Sequence, residues 1–264
     1  MPDFKAIQYR IESEVAWVTM NRPEQRNAVN AEMREELISV LTEARTNAEI
    51  RALVLTATGK GFCTGADLSG PRGQGPTGPG AGREVMKGSS QRLIRALWEL
   101  EKPVVAAVNG VAAGLGSHLA FASDFVIAAS EARFIEVFVR RGIAVDAAGA
   151  FLLPRLIGLQ KAKQLVFFGD DLSADDALRL GLVSKVVPGD QLEASARDWA
   201  ERLAKGPTFA IGMSKRLLNR SLESSFETAL EEEAMAQSIV TQSEDTREGM
   251  MAFMERRTPQ FKGK

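Results

Sequence analysis

The sequence predicts an α/β chain, with mixed strands and helices over residues 1–190 and an all-helical region over residues 191–264. Three observations carry that prediction. Short runs of small and β-branched apolar residues, of which Val104 to Val108 is the clearest, read as buried strands. Glycine-rich turns close these runs, and segments with helical periodicity follow them. Beyond residue 190 only helical patterns remain, and such a tail must pack on the first part or on another copy of the chain.

Residues 4–11 and 15–20 read as a hairpin, with Asn21-Arg22-Pro23 stopping its second strand. Residues 31–48 place Met33, Leu37, Val40, Leu41 and Ala44 on one stripe, a helix with Asn30 as its N-cap. Residues 53–56 are a short buried strand, and GFCTGADL (61–68) follows as a glycine-punctuated segment. Residues 69–82 are so rich in Gly and Pro that they read as a loop, either a plain connection or a lid over a ligand. A helical pattern resumes over 83–101. Residues 159–168 and 173–180 read as helices, the second capped by Ser173 and stopped by Gly181, and 182–187 as the last strand. Helices over 191–205, 208–221, 225–243 and 244–257 take Asp190, Pro207, Ser224 and Ser243 as caps. Met235, Met250, Met251 and Met254 lie at helical spacing and read as core or subunit-interface packing.

Composition narrows the function. Lys and Arg (33) nearly balance Asp and Glu (34), so no nucleic-acid footprint is present. With one cysteine, Cys63, and one histidine, neither an internal disulfide nor a Cys- or His-based metal site is expected. No apolar run of about 18 residues predicts a membrane span. The first residues lack a signal-peptide pattern, and a cytoplasmic location is expected.

The chemistry concentrates in residues 102–158. After the strand at Val104 to Val108, the turn Asn109-Gly110 and the stretch Ala112-Ala113-Gly114-Leu115-Gly116 lead into a helix. Free backbone N–H groups at such a helix start can hold a negatively charged oxygen. Asp146 is a lone acid among small and apolar residues. Together they permit one reaction type: N–H donors hold a carbonyl oxygen while a carboxylate takes a proton from the neighbouring carbon. Phe138, Ile143, Val145 and Phe151 would raise the carboxyl's pKa by desolvation. Asp146 ahead of Ala147-Ala148-Gly149 fits a helix N-cap equally well, and spacing leaves both roles open.

NRPEQRNAVN (21–30), GFCTGADL (61–68), KPVVAAVNGVAAGLGSHLAFASDFVIAA (102–129) and SEDTREGMMAFMERRTPQFKGK (243–264) resemble, in order, motifs of the enoyl-CoA hydratase/isomerase (crotonase) family. The resemblance implies a crotonase-like spiral of ββα turns with a C-terminal helical trimerisation region, assembled as a homotrimer or a dimer of trimers. The partner it implies is an acyl-CoA thioester, with no nucleic acid, no membrane, no metal, and no cofactor beyond the coenzyme A of the substrate. The thioester oxygen would lie between the N–H groups of Ala66 and Leu115. The turn holding Thr64, Ala66, Asp67 and Leu68 would hold the adenine through backbone groups. Gln25 and Arg26 would lie near the pantetheine and phosphates, Arg26 being equally readable as a surface residue, and Gly114 and Phe138 would belong to the substrate pocket.

Departures from the family pattern shape the expected chemistry. Family hydratases use two glutamates to hold one water; those positions fall at His118 and Phe138, so hydration by that route is not expected. Glu136 lies two residues from Phe138, with a direction that the sequence does not reveal. Asp146 falls where several isomerases of the family carry an aspartate, and the closest likeness is to the phenylacetate-pathway 2-(1,2-epoxy-1,2-dihydrophenyl)acetyl-CoA isomerase type. The implied reaction moves a double bond: Asp146 takes a proton from C2 and returns it at C4. His118 reads either as an auxiliary acid/base or as a hydrogen-bonded helix residue. The alternatives are a hydratase or acyl-CoA hydrolase using His118 or Glu136, a dehalogenase-like nucleophilic Asp146, and a non-catalytic acyl-CoA-binding protein.

Overall fold

The computed structural model describes residues 4–69 and 78–264. Strands β1 (Ile7–Glu12) and β2 (Val15–Met20) form the antiparallel hairpin, with Ile7 opposite Met20. β2 is buried throughout because β3 (Ala52–Ala57) runs parallel on its other side. Parallel neighbours require a crossover, here α1 (Ala31–Thr46). Asn30 caps α1 by accepting from the N–H of Met33, and the predicted apolar stripe is buried.

From β3 onward one unit recurs: a strand in a large sheet, a sharp turn, a three-residue strand in a small sheet, then helix. β3 leads to β4 (Gly61–Cys63), α2 (Ala81–Gly88) and α3 (Ser90–Trp98). β5 (Val104–Val108) leads to β6 (Val111–Ala113) and α4 (Leu115–Phe121). β7 (Phe125–Ala129) leads to β8 (Arg133–Ile135) and α5 (Gly149–Phe168). The series closes with β9 (Asp171–Ser173), α6 (Ala174–Leu180) and β10 (Lys185–Val187). The large sheet has the order β1-β2-β3-β5-β7-β10 and the small one β4-β6-β8-β9. Each ββα turn thus adds one parallel strand to each sheet, which is the spiral that the resemblance implies.

Helix α7 (Leu192–Ala204) covers the outer face of the large sheet. Its Leu192, Ala196, Ala200 and Ala204, one every fourth residue, pack against Trp17, Val54, Val105 and Ile127. The first helix of the C-terminal region therefore completes the core. Helices α8 (Thr208–Ser221), α9 (Phe226–Val240) and α10 (Glu244–Glu255) follow. They leave Leu218, Leu222, Phe226, Met235, Met250, Phe253 and Met254 exposed. Core packing of Met235, Met250, Met251 and Met254 is not found, since all four are exposed. No described helix is long and apolar enough to cross a membrane.

Several boundaries differ from expectation. The single helix over 83–101 is two, α2 and α3, parted at Ser89. The helix over 159–168 is the second half of α5; its first half precedes Gly158, whose φ of 75° and ψ of 156° break the helical path. The caps expected at Asp190 and Ser224 move one residue on, to Gln191 without a side-chain bond and to Ser225, which accepts from the N–H of Thr228. Of the loop expected over 69–82, as plain connection or lid, residues 70–77 lie outside the described residues.

Candidate active site

Two backbone turns meet where β4 and β6 end. In the first, the N–H of Thr64 donates to the carbonyl of Arg26, Val29 donates to Gly65, and Asp67 donates to Val29. The turn is thereby sewn to the segment that carries Gln25 and Arg26, both of them exposed. Asp67 faces inward: its carboxylate accepts from the amide and hydroxyl of Ser69 and pairs with Arg22 at 2.9 Å. The bonds from Ser69, with Arg22 behind them, hold its carboxyl below the usual carboxylate range. Its side chain is committed to shaping the turn, and Leu68 beyond it is exposed.

In the second turn, Gly114 takes φ 53° and ψ −118°, a conformation that side chains oppose, and swings the chain from β6 into α4. The two turns touch. A Cβ on Gly116 would lie 2.0 Å from the carbonyl oxygen of Cys63, and one on Gly65 would lie 3.0 Å from that of Ala113 and 3.8 Å from the nitrogen of Leu115. Ala66 and Leu115 therefore sit on adjoining backbone. Among the described residues, neither N–H makes a hydrogen bond; Leu115 opens α4, where the first N–H groups have no acceptor within the helix.

Asp146 lies on the loop that leads into α5. The N-cap of that helix is Ala148, which offers no side-chain bond, so the capping role expected as one alternative for Asp146 is not the one it plays. Ala147 and Ala148 both take positive φ, 45° and 66°, and carry the chain into the helix without help from the Asp146 side chain. Only its carbonyl is used, by the N–H of Gly149. Asp146 is half-buried. Its carboxylate makes no hydrogen bond or ion pair among the described residues, and its pKa is raised by burial, with His118 opposing the rise and Glu136 adding to it.

His118 lies one turn along α4 from Leu115 and is fully buried. Its Nε2 is 3.0 Å from Oε2 of Glu136, itself buried. The ring stacks on Phe138 at 5.6 Å between centroids and 12° between planes. Phe138 also reaches Gly114, where a Cβ would be 3.3 Å from its Cζ. On the far side, a Cβ on Gly149 would lie 2.3 Å from Cε1 of His118. One wall thus runs from Gly114 through Phe138 and His118 to the turn that carries Asp146. The direction of Glu136, unreadable in the sequence, is inward. The sequence did hold a signal for this pairing: a lone acid in Phe134-Ile135-Glu136-Val137-Phe138 and a lone histidine in an apolar helix, each in need of a partner.

Past Ala148, helices α3, α5 and α8 border an open cavity of about 790 Å³ that sequence reasoning did not anticipate. Its apolar lining includes Ile94, Trp98, Phe151 and Leu152, with Trp98 and Phe151 edge to face at 5.7 Å.

The family model described as enoyl-CoA hydratase/isomerase matches residues 10–264. The 1,2-epoxyphenylacetyl-CoA isomerase of Escherichia coli K12 is 41% identical over 256 residues, covering 96% of this chain and 97% of that protein. The short-chain-enoyl-CoA hydratase of Clostridium acetobutylicum is 38% identical, covering 93% of each. A crystal structure of an enoyl-CoA hydratase/isomerase from Cupriavidus metallidurans CH34 superposes with a TM-score of 0.93 at 35% identity, covering 100% of this chain and 98% of that one. Sequence, fold and the meeting of the two turns agree: the chain belongs to the enoyl-CoA hydratase/isomerase family.

Proposed function

We propose that this protein isomerises an enoyl-CoA thioester, shifting its double bond by proton transfer through Asp146. One observation carries the reading: among the described residues Asp146 is a half-buried carboxylate without a partner, whereas Asp67 is engaged with Arg22 and Ser69, and Glu136 with His118. A paired carboxylate is a weaker base, and burial makes an unpaired one stronger.

In this mechanism the thioester oxygen accepts from the N–H groups of Ala66 and Leu115. Ionised Asp146 removes a proton from C2 of a 3-enoyl-CoA, and the electron pair left behind delocalises onto the oxygen. Fixed donors meet that charge without reorganising, and each is worth roughly 3 kcal/mol. Protonated Asp146 then gives the same proton to C4. No water or metal enters the balance. The backbone of the turn at Thr64, Asp67 and Leu68 holds the nucleotide end, Gln25 and Arg26 flank the pantetheine and phosphates, and Gly114 and Phe138 line the pocket. The cavity past Ala148 receives the acyl group. Exposed apolar side chains on α8, α9 and α10 support assembly as a homotrimer or a dimer of trimers.

Incubation with a 3-enoyl-CoA should give a mass-neutral product, and Asp146→Ala should abolish conversion while still binding CoA esters. Isomerisation by Asp146→Ala at the parent rate would refute the assignment. A second reading, hydration through the His118–Glu136 pair, is favoured by the Nδ1 of His118, which is buried and has no partner among the described residues. Uptake of labelled water oxygen into product would decide for it.

A further inference from the structure

Glu136 has no part in the reaction as written, yet it is a carboxylate only 4% exposed among large apolar residues. A charge in such a place is costly unless paired, and its side-chain partner is Nε2 of His118 at 3.0 Å. An ionised carboxylate only accepts, so the proton in this bond sits on Nε2. The other ring nitrogen, Nδ1, is buried without a partner among the described residues. The ring is not free to swing toward one, because Phe138 stacks on its face and the backbone of Gly149 crowds Cε1 and Nε2. Asp146 lies three residues before Gly149 on the same turn.

We propose that Glu136 is a positioning residue for Asp146 that acts through His118, fixing the imidazole with Nε2 protonated and Nδ1 bare so that the three side chains hold protons as one coupled group. The inference rests on Asp146 being the base. With Nδ1 bare, Asp146 faces a net negative pair and holds a substrate proton more firmly. With Nδ1 protonated, the pair is neutral overall and Asp146 releases the proton more readily. Other charges on the surrounding elements are engaged elsewhere or point outward: Arg140 pairs with Asp171, Arg155 pairs with Glu223, and Arg141 is exposed. Among the described residues, His118, when it is protonated, and Glu136 are the groups whose charge shifts the Asp146 carboxyl.

His118 is the only histidine in the chain, so tag-free protein with isotope-labelled imidazole nitrogens reports this one ring. The expected spectrum of the parent is a neutral ring protonated at Nε2, and its ring-nitrogen signals should move in Asp146→Asn. In Glu136→Gln the amide oxygen still accepts from Nε2 but the charge is gone, so the acid limb of kcat should move to lower pH by about half a unit or more. A lowered kcat with an unmoved acid limb would reduce Glu136 to a structural residue and overturn the proposal. A ring protonated at both nitrogens whatever stands at position 146 would overturn it too, and that measurement needs only the parent and Asp146→Asn, should Glu136→Gln not fold. Full isomerase activity in Asp146→Ala sinks the base assignment itself. An inactive Asp146→Ala alongside an unmoved limb and ring sinks only the coupling.

Discussion

Replacing Gly149 by alanine probes the wall of the site with a single methyl group. The added carbon would lie 2.3 Å from Cε1 and 2.4 Å from Nε2 of His118, and 2.6 Å from Cγ2 of Val145. Ordinary contact between such atoms is about 3.5–4.0 Å, so ring and methyl must separate by roughly 1 Å or more. Nε2 is 3.0 Å from Glu136, and a shift of that size takes the pair out of hydrogen-bond range. Overpacking a buried methyl costs about 1–3 kcal/mol. Leaving a buried polar group unsatisfied costs about 1–3 kcal/mol more. Better helix propensity returns at most about 1 kcal/mol. The net loss is therefore about 1–6 kcal/mol, which for a chain of this size lowers Tm by roughly 2–24 °C. Thermal unfolding measures the shift, and the ring-nitrogen spectrum of His118 should change with it. A Tm within about 1 °C of the parent and an unaltered spectrum would show that the ring does not pack on Gly149.

Three further substitutions or conditions test the rest of the site. Asp146→Asn keeps the volume and removes the proposed base, so kcat should fall about 10²–10⁴-fold with KM little changed in steady-state assays. Because the carboxyl's folded pKa lies above its unfolded one, ionised Asp146 opposes folding at neutral pH, and that opposition fades as pH falls through the raised value. Asp146→Asn should accordingly raise Tm at pH 7 and give no gain in acid. Arg22→Ala removes the partner of Asp67 and loosens the turn that holds Ala66, so KM for CoA esters should rise several-fold more than kcat falls. Cys63 is buried, and burial pushes its thiol up to about 12. A disulfide reagent at pH 8 should leave it unmodified in the native protein and titrate it fully in denaturant.

What was legible in the sequence was local. The hairpin, the strand at Val104 to Val108, and the caps at Asn30, Ser173 and Ser243 each follow from a few adjacent residues. The small sheet was not legible. Its strands β4, β6, β8 and β9 have three residues each, too few to show a period, and they exist because distant copies of the same turn pair with one another. The break between α2 and α3 was legible but passed over: Gly88-Ser89-Ser90 interrupts the apolar stripe with residues that favour helix ends. At the site, Asp146 and His118 stood out as isolated polar residues, but the inward turn of Glu136 depends on a partner 18 residues away.

The start of α5 breaks local rules in a way that bears on chemistry. A residue such as Asp146 ahead of a helix would ordinarily cap it, a contribution of about 1 kcal/mol. Here the chain forgoes that bond and instead enters the helix through two alanines at positive φ, each at a cost of roughly 1–2 kcal/mol. Strain of this kind persists only where the surroundings over-determine it, and the packing of Gly149 on His118 supplies one such constraint. A cap would have bonded the carboxylate to backbone N–H groups, which lowers a carboxyl's proton affinity and makes it a poor base. The strained entry does the opposite, leaving Asp146 half-buried and unpaired among the described residues, within the field of buried Glu136. A uniformly well-formed helix start would be more stable, and it would deprive the proposed reaction of its base.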